Sequence, residues 1–209
     1  MGIKWHTKFD KLPKMTATTK AISNRKVKVG ALTGKHAWLA AVHENGAEIR
    51  ATKAKYLTVP INPKAKGKKA GSFSDLFVFK SEDGELFLAQ QKRKRFLFGN
   101  KGKDELELMY WLTKSVKIPK RPFLSTGHDK NASRILKQTE RALSQVVAGK
   151  MTVNTLLDLY GHQMASAIKL YIRDLNSPPN SSITEEVKGS DNPLKDTGGL
   201  IESITWKKE

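Results

Sequence analysis

The chain has no cysteine among its 209 residues. A disulfide framework, thiolate zinc sites and cysteine nucleophiles are thereby excluded, and the composition suits a reducing compartment. Long apolar runs are missing too. None approaches the ~20 residues a transmembrane helix needs, so no integral membrane protein is expected. The opening stretch MGIKWHTKFDKLPK lacks the apolar core of a secretory signal. Acidic side chains are scarce in the first part of the chain. Residues 1–130 hold 28 Lys and Arg against 11 Asp and Glu, whereas residues 131–209 hold 10 against 9. A paired-carboxylate nuclease or glycosidase site therefore has little to draw on.

What is present is positive charge. The net charge is +18. Such a field, concentrated in one part of the chain, predicts contact with a polyanion or with an acidic protein surface. The length fits one domain over residues 1–209 at roughly 150 residues per domain. Within it, residues 1–24 read as an arm, because Pro13 interrupts any helical period. Residues 62–104 read as an inserted basic hairpin lobe and residues 176–209 as a turn-rich C-terminal segment.

Motifs of catalysis are not found. The histidines His6, His36, His43, His128 and His162 show no HxxH, HExxH or HxH spacing. The run Gly99-Asn-Lys-Gly-Lys103 resembles a phosphate loop only in composition, since Asp104 follows where a Ser or Thr is required. No GxSxG elbow occurs. We expect no enzyme, no cofactor and no metal site.

Periodicity assigns the elements. Val27-Lys28-Val29 alternates as a short strand, and 36–44 fits a helix stopped by Asn45-Gly46. Residues 56–61 form a β segment whose Pro60 places it at an edge or a strand end. Leu76 to Phe79 and Leu86 to Ala89 flank Asp83-Gly84, a hairpin turn. Residues 105–112 alternate as a strand with one apolar face, extended by Val116 and Ile118 and ended by Pro119. Beyond 131 the period becomes helical, with Asn131 or Ser133 as N-cap and Gly149 as stop. A second helix, capped by Thr152, carries an apolar stripe from Val153 to Leu175. This stripe is expected to pack on the 105–118 strand. Ile201, Ile204 and Trp206 read as a closing strand. The fold class is α+β: a small, mostly antiparallel sheet on one long helix plus a second helix, with extended terminal segments.

Two clusters of cations stand out. Lys64, Lys66, Lys68 and Lys69 stud the loop 62–72, and Lys92-Arg93-Lys94-Arg95 separates two β segments. Cations on both faces of one strand cannot all be buried, so the second cluster belongs at a sheet edge or hairpin. We expect the eight to form one mobile basic lobe that meets phosphate or an acidic surface; an edge strand charged against aggregation is the plainer alternative. Aromatic residues do not interleave with these cations as stacking platforms would.

Three segments carry a family resemblance. They are His43-Glu44-Asn45-Gly46 within 40–49, Pro119-Lys120-Arg121-Pro122-Phe123 within 115–124, and Ser177-Pro178-Pro179-Asn180-Ser181 followed by Asn192 to Ile204, which contains Asp196-Thr197-Gly198. In order and spacing they resemble the virion-morphogenesis, or tail-completion, proteins of tailed phages over residues 40–209. The resemblance implies a structural neck protein, assembled in the host cytoplasm and resident in the virion. It implies a homo-oligomeric ring, typically of six or twelve subunits, between portal and tail terminator or tail tube. DNA in the channel or an acidic neighbour would then face the basic lobe. A sequence-independent nucleic-acid-binding protein is the competing reading. Taken on their own chemistry, the two prolines force an extended exit from the sheet, Asp196 is expected to cap the next turn, and Gly198 to take a positive φ.

Overall fold

The computed structural model describes residues 12–92 and 105–209. In chain order its elements are α1 (Leu12–Ser23), β1 (Val27–Ala31), α2 (Gly34–Asn45), β2 (Ala47–Arg50), β3 (Leu57–Pro60), β4 (Phe77–Lys80) and β5 (Leu86–Lys92). They continue with β6 (Glu105–Thr113), β7 (Ser115–Ile118), α3 (Phe123–Val147), α4 (Val153–Asp174), α5 (Ser182–Lys188), α6 (Gly199–Ser203) and β8 (Ile204–Lys208). Helices and small antiparallel sheets make an α+β fold, as expected. No helix of the described residues is long and apolar enough to cross a membrane. The chain divides into two compact units. One comprises Met1–Glu44, Pro122–Leu175 and Thr197–Glu209; the other comprises Asn45–Arg121 and Asn176–Asp196.

The first unit is a helix pair backed by a two-stranded ribbon. The Thr152 hydroxyl accepts from the Thr155 amide at 3.1 Å and caps α4. From there Leu156, Leu157, Met164, Ala165, Ile168 and Ile172 line one buried face. Its partners in the unit are α3, β1 and β8. The expected packing on the 105–118 strand is corrected here: the stripe is covered within its own unit, and that strand belongs to the other. β1 and β8 pair antiparallel from Val27 opposite Lys208 to Ala31 opposite Ile204. Trp206 of β8 packs against Gly161 of α4, where a Cβ would stand 2.4 Å from the indole.

Two further expectations change in this unit. Residues 12–23, assigned to an arm, are helical. Pro13 falls in the first turn, where a missing N–H costs nothing. Ile22 packs on the cluster of Ala142, Val146 and Leu156. Residues 1–11 of the expected arm lie outside the described residues. α3 starts at Phe123, ahead of the caps expected at Asn131 or Ser133.

The second unit holds a four-stranded antiparallel sheet in the order β3-β6-β5-β4 and a separate pair, β2 with β7. β3 is an edge strand and Pro60 is its last residue, so both placements expected of that proline hold. β4 and β5 join through the Ser81–Gly84 turn, in which the Gly84 amide donates to the Ser81 carbonyl at 3.0 Å. The single strand expected over 105–118 is two strands in different sheets. Its alternation also breaks. β5 pairs Leu88 with Tyr110 but Ala89 with Leu108, leaving Met109 as the extra residue of a bulge. A bulge shifts the facing of side chains, and Met109 and Tyr110 are both buried. With Ala65 they form a core cluster, joined by Ala70, Phe73, Leu76 and Leu88.

Candidate functional site

The residues that carry the resemblance make contacts across long sequence separations. Glu44 stands in the last turn of α2. Its carboxylate accepts from the Leu124 amide at 2.8 Å, the Ser125 amide at 3.0 Å and the Ser125 hydroxyl at 2.6 Å. α3 begins after Pro122, which has no capping side chain. Glu44 therefore supplies the anion and the acceptor that the helix N-terminus lacks. Phe123, next in the chain, is fully buried, and Leu124 packs near Gly30 of β1. His43 precedes Glu44 and is half-buried.

Gly46 works in the second unit. Its φ is +73°, and a Cβ there would meet the Lys120 amide nitrogen at 3.1 Å and the Ile118 carbonyl oxygen at 3.2 Å. The β2–β7 ladder thus runs up against the segment that contains Pro119, which is itself exposed. At the end of that segment lies Arg121, the one buried charged side chain among the described residues. It has no carboxylate within reach of an ion pair among the described contacts. Its Nε donates to the Pro178 carbonyl at 2.8 Å and an Nη to the Pro179 carbonyl at 2.9 Å. Burial lowers its pKa from the usual guanidinium value. The planar fork presents its donors to the two carbonyls in a fixed geometry, which a rotatable ammonium does not pre-organise.

The network continues through Asn180 and Asn192 of the third segment and through Lys188, which sequence reasoning did not single out. The Asn180 amide donates to the carbonyls of Asp191 and Asn192 at 3.3 and 3.5 Å. The Asn192 side chain accepts from the amides of Leu194 and Lys195. The Lys188 ammonium donates to the Asn192 carbonyl, and burial pushes its pKa down. Nothing in the sequence marks Lys188, because it is one lysine among many. Asp196 does not cap a turn, as had been expected; it pairs with Lys66 at 2.7 Å. Gly198 does take a positive φ, +85°, at the start of α6, where the neighbouring Thr197 hydroxyl accepts from the Gly199 amide at 3.5 Å.

The basic residues are less free than a mobile lobe implies. The loop 62–72 forms two short 3₁₀ turns, Pro63–Ala65 and Ala70–Ser72. Ala65 is fully buried and the Tyr110 hydroxyl donates to the Lys68 carbonyl at 3.0 Å, so the loop is pinned at its first turn and again between the two turns. Lys64 pairs with Glu107 at 2.7 Å, and the Lys68 ammonium lies 5.5 Å from the Phe73 ring centre. Lys69 is exposed. Lys92 ends β5 opposite Glu105 on the β5–β6 hairpin; Arg93, Lys94 and Arg95 lie outside the described residues. Since Glu107 is two residues along β6 from Glu105, the loop and the hairpin end share one region of the sheet.

Comparison with protein-family models, curated proteins and solved structures gives no match. Among the described residues no three His, Asp or Glu side chains gather as ligands of a metal would. The site these residues build is a set of structural ties. Glu44 fixes the start of α3, Arg121 fixes the proline pair, and Lys66 fixes the C-terminal turn.

Proposed function

We propose that this protein is a structural subunit of a tailed-phage neck, a ring component that joins the head to the tail. The observation that carries this reading is that the resembling segments engage one another. Glu44 of the first holds the amides that follow the second, and Arg121 of the second holds the carbonyls of Pro178 and Pro179 in the third. The burial of Arg121 and Phe123 gives those residues a packing role, in keeping with a protein whose work is shape and assembly.

The nucleic-acid reading is less well supported. Lys64 and Lys66 already hold carboxylates. The experiment that separates the two is light scattering with electron microscopy of the purified chain, alone and with portal and tail-tube proteins of a tailed phage. A ring of six would weigh about 140 kDa, six times 23.3 kDa. Ring formation on the portal or the tail supports the neck. A chain that stays monomeric with both partners, yet binds duplex DNA, supports the alternative.

A further inference from the structure

β4 is the outer strand of its sheet. β5 covers one edge, and among the described residues nothing pairs with the other. Its Phe77 and Val78 are 40% and 63% exposed. Val78 stands opposite Leu88, which packs on the Ala65, Met109 and Tyr110 cluster, so Val78 carries a buried apolar row out into solvent. An open edge bearing apolar side chains is a template for another strand. The surroundings are acidic in a chain of net charge +18: residues 75–85 hold Asp75, Glu82, Asp83 and Glu85 against Lys80 alone. All four acids are exposed.

A complementary segment exists in the same sequence. Residues 3–9 read Ile-Lys-Trp-His-Thr-Lys-Phe, with Ile3, Trp5 and Phe9 at odd positions and Lys4, His6 and Lys8 at even ones. That is the period of a strand with one apolar and one basic face. These residues lie outside the described part, joined to α1 by Asp10 and Lys11. Seven residues span roughly 23 Å when extended, at about 3.3 Å each. This is enough to cover β4 and reach the acidic turn beside it. We propose that residues 3–9 of one copy add as a strand to the free edge of β4 in a second copy. The apolar face continues the Val78 row and the lysines meet the carboxylates. The inference does not depend on the neck reading.

Because the native chain has no cysteine, disulfide trapping reports one pair at a time. Full-length Trp5→Cys and Val78→Cys proteins, carrying different tags, are mixed and oxidised. A mixed dimer is expected, at several-fold higher yield than when Leu136→Cys, on the exposed face of α3, replaces Val78→Cys. Charge reversal of Lys4 and Lys8 to Glu in the Trp5→Cys partner should lower that yield several-fold, and further reversal of Glu82 and Asp83 to Lys in the Val78→Cys partner should restore it. A yield no higher than with the Leu136→Cys control overturns the proposal. So does a Trp5→Cys/Val78→Cys double variant that closes only within one chain.

Discussion

Arg121 shows what a buried charge does when its partners are carbonyls. The guanidinium stays charged at any pH the protein meets, so burial has to be offset by hydrogen bonds. It holds Pro178 and Pro179 in one geometry. Arg121→Lys keeps the charge and loses the fork, and should destabilise the fold by about 1–3 kcal/mol in urea titrations, the cost of leaving a buried polar group unmatched. Glu44→Ala should cost about 0.5–2 kcal/mol, as loss of a helix cap does. Asp158 offers a pH test. Its carboxylate accepts from the Lys208 ammonium at 2.8 Å and the Trp206 indole at 3.4 Å, and the Lys208 bond does most to hold its pKa below the usual value. A carboxyl depressed in the folded state contributes stability that is complete above the ordinary value of about 3.9 and is lost as pH falls through the lower folded value. Asp158→Asn should therefore show a shallower loss of melting temperature than wild type between neutral pH and about pH 2. Parallel curves would show that the pair contributes nothing.

At the level of elements, α4 is the firmest prediction and its environment the least foreseen. Leu157 and Ile168 are 8% and 2% exposed. Replacing either with Ala should cost about 2–5 kcal/mol in chemical denaturation; unchanged stability in both would mean that the stripe is not core. The Thr152 cap, the apolar spacing and the Asp83-Gly84 turn were legible because they depend on neighbours in sequence. The covering of α4 by β1 and β8 was not, since periodicity says that a face is buried and not by what. The early start of α3 was hidden for a related reason: its cap, Glu44, comes from a distant part of the chain. The bulge at Met109 has no local signal, as it depends on the pairing of β5 with β6. Pro13 misled because its position within a helix decides its effect. Deletion of residues 1–24 should accordingly lower the melting temperature by removing Ile22 from its cluster. An unchanged thermal melt would show that α1 contributes nothing to the core.

For the whole molecule, charge and assembly remain linked. Lys64 and Lys66 are occupied by exposed or half-exposed ion pairs, which are worth about 0–1 kcal/mol and exchange readily for other anions. The bonds from the Leu124 amide to Glu44 and from Arg121 to the Pro178 and Pro179 carbonyls are instead partly buried and fixed in geometry. If the basic region meets DNA, its contact is weak and steep in salt, with a slope near −0.9 per phosphate. Changing Lys92, Arg93, Lys94 and Arg95 to Gln should then make that slope shallower. Equal slopes would sink the DNA contact. The most direct measurement of the neck assignment is electron microscopy of lysates from a phage or prophage in which the gene for this chain has been deleted. DNA-filled heads and finished tails that accumulate unjoined, and that join when the purified chain is added back, are the expected result. Complete virions in the absence of the chain would contradict it.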